Sequence, residues 1–157
     1  MSRNEKQTCK DLIETALKTA GWQWDREVKI GPGRVNLAGD SMYDETQAII
    51  ADYVLRHHGI PLAVLEAKAE SSSAADGMQQ GSRYANRLGI RFSIAANGHD
   101  WILTDNDTGH FETSAQPYTP ENILSRYGVN IDLNRWGKTF SAAYHMDQVT
   151  RKTVRPY

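Results

Sequence analysis

Two apolar runs, Ile49 to Arg56 and Leu62 to Ala69, occupy the middle of the chain with only His57-His58-Gly59-Ile60-Pro61 between them. Short runs rich in β-branched residues, separated by a Gly- and Pro-containing break, predict an antiparallel hairpin. Such a hairpin needs covering layers, and the flanking sequence supplies them. Residues 2–20 place Cys9, Leu12, Ile13, Ala16, Leu17 and Ala20 at helical spacing on one face. Ser2 with Glu5 three residues on suggests a capping box, and Gly21 a stop. Residues 74–88 predict a second helix. Residues 90–96 and 99–104 predict strands joined by a tight Asn97-Gly98 turn. Thr119-Pro120-Glu121 opens a short helix that Gly128 ends. Two extended pieces around Gly31-Pro32-Gly33 and an irregular acidic loop over 37–46 complete the plan. The order helix, strands, helix, strands implies an α/β domain, a mixed central β-sheet flanked by α-helices.

A chain of 157 residues suits one domain with a real core. Its single cysteine, Cys9, excludes an internal disulfide and favours a reducing compartment. The N-terminus lacks the apolar run of a signal peptide and nothing reaches the length of a membrane span, so a cytoplasmic protein is expected. The net charge of −1 gives no basic surplus. Contact with nucleic acid then depends on local Lys and Arg placement, or on a partner that delivers the substrate.

Alternation along the strand 62–68 puts Leu62, Val64, Glu66 and Lys68 on one side. Glu66 and Lys68 thus stand together at the end of an apolar strand, and hairpin pairing brings Asp52 near Glu66. Two carboxylates can hold Mg²⁺ while leaving its other positions to water and phosphate oxygens. The Ala67 backbone carbonyl is a candidate third ligand. Lys68 is placed to orient or deprotonate water, or to stabilise developing negative charge. A bare Asp…Glu-x-Lys is more often an ordinary strand rim with a turn-proximal acid.

Three ordered segments lift it above that: Ala51-Asp52-Tyr53-Val54-Leu55-Arg56, Leu62-Ala63-Val64-Leu65-Glu66-Ala67-Lys68, and Gln80-Gly81-Ser82-Arg83-Tyr84-Ala85. Over roughly residues 1–115 the chain resembles the nuclease superfamily named for its Pro-Asp…(Asp/Glu)-x-Lys motif. More closely, it resembles the N-terminal domain of the R subunit of type I restriction enzymes. Position 51 is Ala where the motif name has Pro, a residue that is not a metal ligand. The resemblance implies a restriction-endonuclease-like core with Asp52 and Glu66 as Mg²⁺ ligands and Lys68 as the catalytic lysine. It also implies Gln80 and Tyr84, the Gln-x-x-x-Tyr signature, as supporting residues. Double-stranded DNA, with the methyltransferase and specificity subunits of the complex, would be the partners. No membrane partner is expected.

On the second helix Gln80, Arg83, Tyr84 and Arg87 form a stripe suited to phosphate contact, distinct from the face carrying Met78, Gly81, Ala85 and Leu88. The alternative is a solvated helix face. Glu5 lies on the apolar side of the first helix and is a candidate for the metal site, while Glu14 falls on its polar side. His57 and His58 read as turn residues, and Trp22, Trp24, Trp101 and Trp136 as core or interface aromatics. Two rival functions remain: a silent docking domain with a nuclease fold, and a stand-alone repair nuclease. Residues 1–129 are expected to form the nuclease domain. Residues 130–157, ending Val154-Arg155-Pro156-Tyr157, are expected to lead toward an ATP-driven motor. No P-loop pattern occurs, so ATP would serve only the longer protein. No zinc-ligand set or helix-turn-helix pattern occurs either, so the domain itself is not expected to read DNA sequence.

Overall fold

The computed structural model describes residues 4–30 and 49–127. Six strands form one sheet in the order β1-β2-β3-β4-β5-β6. They are β1 (Gln23–Ile30), β2 (Ile49–His57), β3 (Ile60–Ala67), β4 (Phe92–Ala96), β5 (Trp101–Asp105) and β6 (Phe111–Ser114). Every neighbouring pair is antiparallel except β3 and β4. Their parallel pairing requires a crossover, which a 3₁₀ turn (Ala74–Gly77) and α3 (Met78–Leu88) provide. This is the mixed sheet with flanking helices that the order of elements predicts.

The central hairpin forms because His58 (φ 49) and Gly59 (φ 78) both take left-handed backbone, joining strands paired at His57↔Ile60. Two-residue turns of this hand match the twist of the flanking strands. β3 therefore starts at Ile60, earlier than expected. Its alternation is also broken once. The register steps from Leu55↔Ala63 to Arg56↔Pro61, leaving Leu62 as an extra, bulged residue. Leu62 consequently packs with Ala63 and Leu65, away from the face of Val64.

The N-terminal helix begins later than expected, as α1 (Glu5–Thr8), passes through a π-turn (Cys9–Ile13), and ends as α2 (Glu14–Ala20). Its cap is Asn4 with Gln7, not Ser2 with Glu5: Gln7 N donates to Asn4 Oδ1 at 2.9 Å and Asn4 N to Gln7 Oε1 at 3.4 Å. Gly21 ends it with φ 91. Cys9, Ile13 and Leu17 pack on Tyr53, Leu55, Ala63, Leu65, Ile94, Trp101 and Leu103. Burying Ile13 and Leu17 contributes about 1.5–3 kcal/mol each. On the other face Tyr84 and Ala85 of α3 pack on Ala51, Val54, Val64 and Ile90.

The β4–β5 connection is longer than the two-residue turn that Asn97-Gly98 suggests. Ala96 pairs with Trp101, so four residues form the loop. Buried Asn97 takes over the turn: its Oδ1 accepts from His99 N and Asp100 N, and its Nδ2 donates to Ser72 O. The edge strand β6 was not anticipated, since half-exposed Phe111–Ser114 carries no long apolar pattern. α4 (Pro120–Arg126) starts at Thr119 as expected. Trp22 and Trp101 are core residues and Trp24 packs at the core's margin. Gly128, Trp136, the turn at Gly31-Pro32-Gly33, the loop 37–46 and the segment 130–157 lie outside the described residues. Among the described residues no helix is long and apolar enough to cross a membrane.

Candidate active site

β2 departs from regular alternation at Asp52. Tyr53 and Leu55 face the N-terminal helix, whereas Ala51 and Val54 both face α3. Glu27, which falls opposite Asp52 between the pairs Arg26↔Tyr53 and Val28↔Ala51, has φ 49. The β2–β3 pairing ends at Tyr53↔Leu65, and the Asp52 carboxylate takes the next place: Ala67 N donates to Asp52 Oδ2 at 2.8 Å. Asp52 thus lies beside the last residues of β3, with Glu66 one residue from the backbone group it holds.

Glu66 is 2% exposed, an expensive position for a carboxylate. Lys68 Nζ donates to Glu66 Oε1 at 3.0 Å. Glu66 Oε2 is buried with no hydrogen-bond partner. Burial pushes the Glu66 carboxyl up to about 7, and the nearby Asp52 charge pushes the same way, against the hydrogen bond and charge of Lys68. Burial also opposes the Lys68 ammonium, but its hydrogen bond to Glu66 and the charges of Glu66, Glu5 and Asp52 more than offset this and raise its pKa.

The first turns of α3 close the other side. Lys68 Nζ reaches Gln80 Oε1 at 3.4 Å, and Gln80 Nε2 donates to Tyr84 Oη at 2.6 Å. Glu66, Lys68, Gln80 and Tyr84 therefore form one hydrogen-bonded chain. Tyr84 is 5% exposed and belongs to the core, so it does not share the solvent-facing stripe with Arg83 and Arg87. Its ring is large enough to be buried while its hydroxyl reaches Gln80. Arg83 is exposed and stacks over the Tyr84 ring at 5.6 Å. It borders an open depression with Asp76, Gln79 and Gln80. Arg87 is exposed one turn further along α3. Glu5 is exposed at the start of α1, and its charge acts on both Glu66 and Lys68.

Three residues near the site have roles that the sequence pattern did not suggest. Thr8 is fully buried, and its Oγ1 accepts from Glu70 N at 3.0 Å, tying α1 to the segment that follows Lys68. A hydroxyl on the apolar face of a helix was the available signal. Glu14 does not sit on a free polar face: it accepts from Tyr53 Oη at 3.1 Å and pairs with Arg26 at 3.2 Å. The π-turn before it shifts the helical phase, which spacing alone does not reveal. Tyr53, placed by this contact, is the buried neighbour of Asp52.

Among the described residues no group of three or more His, Cys, Asp or Glu side chains is arranged to hold a metal ion. Mg²⁺ needs fewer, since one or two carboxylates with water and substrate oxygens suffice. The orphaned Glu66 Oε2 and the adjacent Asp52 carboxylate are hard oxygen donors of the kind it takes.

A family model described as type I restriction enzyme R protein N terminus matches residues 36–110. The type I restriction enzyme EcoAI endonuclease subunit of Escherichia coli is 43% identical over 118 residues. That match takes in 72% of this chain and 14% of the subunit. A solved fragment described as an HsdR subunit of a type I restriction enzyme from Vibrio vulnificus superposes with a TM-score of 0.67 at 32% identity. It covers 81% of this chain and 26% of the other. The chain thus spans a minor part of each relative's length. The mixed sheet with its flanking helices is the restriction-endonuclease-like core of these homologues. This chain is homologous to the N-terminal domain of the HsdR endonuclease subunit of type I restriction enzymes.

Proposed function

We propose that this domain is the Mg²⁺-dependent endonuclease module of a type I restriction enzyme R subunit, hydrolysing phosphodiester bonds of double-stranded DNA. Sequence recognition belongs to a specificity subunit, acting with the methyltransferase subunit, and ATP-driven translocation to a motor elsewhere in the R subunit. The observation that carries this reading is the buried, partnerless Glu66 Oε2 beside a second carboxylate and a paired lysine. A purely structural Glu66–Lys68 pair would leave no reason to bury that oxygen unsatisfied.

Asp52 and Glu66, with the Ala67 carbonyl, would hold the ion. Mg²⁺ when bound supplies Lewis acidity at the scissile phosphate and favours ionisation of water. Lys68, with its Nζ 3.0 Å from Glu66 Oε1, would orient or deprotonate the attacking water, or face the charge that builds on the phosphate. Gln80 fixes the direction of Lys68 Nζ, and Tyr84 fixes the Gln80 amide. Arg83 and Arg87 would contact the DNA backbone. Glu5 adds negative potential that favours a cation at the site.

The Glu66 carboxyl gives this reading a pH signature. Burial and the Asp52 charge hold it at about 7 in the folded chain, above its ordinary value of 4.5. Between those values the folded metal-free chain binds a proton that the unfolded chain releases, so its stability falls as pH rises through that window. Mg²⁺ binding there must expel the proton, so affinity is expected to rise with pH and level off above about 7. Calorimetry in buffers of different ionisation enthalpy measures both the affinity and the proton released. Glu66→Gln is expected to abolish binding and the proton release together. Mg²⁺ affinity independent of pH from about 5 to 8, or unchanged in Glu66→Gln, would contradict the assignment.

A further inference from the structure

Gly77 occupies the junction between the 3₁₀ turn and α3, directly over β3. Its backbone (φ −90, ψ −13) is one that any residue adopts, so conformation does not demand a glycine there. Space does. A Cβ on Gly77 would lie 3.1 Å from Glu66 Cγ, 3.3 Å from Lys68 Cε and 3.4 Å from Ala95 Cβ. The first two distances are to the aliphatic stems of the two side chains that form the ion pair. Gly81, one turn on, is also packed on β3, but a Cβ there would meet Glu66 Cβ at 3.5 Å and Ser93 Cβ at 3.6 Å, ordinary contact distances. The two glycines therefore differ: only at the first would a methyl group press on Glu66 and Lys68.

We propose that Gly77 is a positioning residue for the Glu66–Lys68 pair. Its bare backbone lets the start of α3 press on both stems and holds Lys68 Nζ between Glu66 Oε1 at 3.0 Å and Gln80 Oε1 at 3.4 Å. A methyl group displaces the stems by a few tenths of an ångström. Buried Glu66 has little room to give way, and half-buried Lys68 swings outward. Lys68 Nζ lies at the end of the displaced stem, so its outward swing adds to the shift at Cε and carries it toward the limit of about 0.5 Å within which catalytic groups must be held. Gly77 stands at the N-cap of α3, where alanine is no better than glycine, so the exposure of Lys68 is measured beside the activity to separate positioning from a weakened helix.

The inference rests on the nuclease reading for its effect on rate, but not for its geometry, so two measurements are made on Gly77→Ala and Gly81→Ala. One is the single-turnover cleavage rate of the assembled restriction complex alongside its DNA affinity. The other is the rate of reductive methylation of Lys68 in the isolated chain, followed by mass spectrometry, which needs no nuclease activity. Gly77→Ala is expected to cleave roughly tenfold more slowly with unchanged DNA affinity, and its Lys68 to methylate several-fold faster. Gly81→Ala is expected to match the unsubstituted protein in both. Ala95→Gly combined with Gly77→Ala opens space on the far side and is expected to restore both rates. Faster methylation in Gly77→Ala with no cleavage by even the unsubstituted complex would support the positioning role and refute the nuclease reading. Equal effects of the two glycine substitutions, no change in either measurement, or no recovery in the double variant would overturn the proposal.

Discussion

Glu66→Ala in the assembled restriction complex is expected to lower the DNA cleavage rate by about three orders of magnitude or more, while the domain stays folded. A loss of that size corresponds to about 4 kcal/mol of transition-state stabilisation, a usual cost of removing a metal ligand or a charge contact at the reacting centre. Asp52→Ala and Lys68→Ala are expected to fall into the same range, because the proposed centre uses the three side chains as one unit and their effects would not add. Stability moves the other way. Glu66 buries a carboxylate oxygen without a partner, so removing it relieves desolvation. At pH 8, above its pKa of about 7, the metal-free Glu66→Ala variant is expected to melt no lower than the unsubstituted chain. A variant more stable yet inactive separates a functional carboxylate from a structural one. Cleavage at the normal rate by Glu66→Ala would remove the site assigned here.

The second large effect concerns the scaffold. Gly98 has φ 92, and a Cβ there would approach Leu12 Cδ1 to 2.7 Å and Leu12 Cβ to 2.8 Å. The β4–β5 turn therefore presses directly on the N-terminal helix. Gly98→Ala adds left-handed backbone strain of about 1–2 kcal/mol and overpacking of about 1–3 kcal/mol, so a loss of about 2–5 kcal/mol is expected. Urea unfolding of the chain measures it. A loss under about 1 kcal/mol would mean that the helix yields easily at this contact. Leu12→Ala in the same background removes the Cδ1 contact but keeps the Cβ contact, so it is expected to recover only a small part of the loss.

The central hairpin could be predicted because its two runs are apolar, β-branched and close together, and periodicity carries that information. Glu66 and Lys68 followed from the alternation of β3 beyond Leu62, and Asp52 from hairpin pairing. What periodicity does not carry is irregular backbone. The bulge at Leu62 turns that side chain to the opposite face. The π-turn at Cys9–Ile13 rotates Glu14 onto Tyr53, and the break at Asp52 points its carboxylate at Ala67 N. Each arises from tertiary packing that no local pattern encodes. The burial of Tyr84 escapes periodicity for a related reason: an i, i+4 pair with Gln80 indicates that the two are neighbours, not which of them the sheet covers. Asn97-Gly98 carries a strong preference for a tight turn, yet the loop spans four residues, with Asn97 Oδ1 accepting from His99 N and Asp100 N and Asn97 Nδ2 donating to Ser72 O. The resemblance to R subunits singled out the Gln-x-x-x-Tyr pair. The hydrogen-bonded path from Tyr84 through Gln80 to Lys68 supplies a physical reason for its spacing, since one helical turn sets the two side chains end to end.

The most direct test of the centre built on Asp52, Glu66 and Lys68 is the anomalous scattering of Mn²⁺, standing in for Mg²⁺, in crystals of the domain soaked near pH 8. The account predicts one ion within about 2.0–2.4 Å of a carboxylate oxygen of Asp52 and of Glu66 Oε2, with Lys68 Nζ outside the coordination shell. An ion bound elsewhere, or no peak between these two carboxylates at a saturating Mn²⁺ concentration, would contradict it.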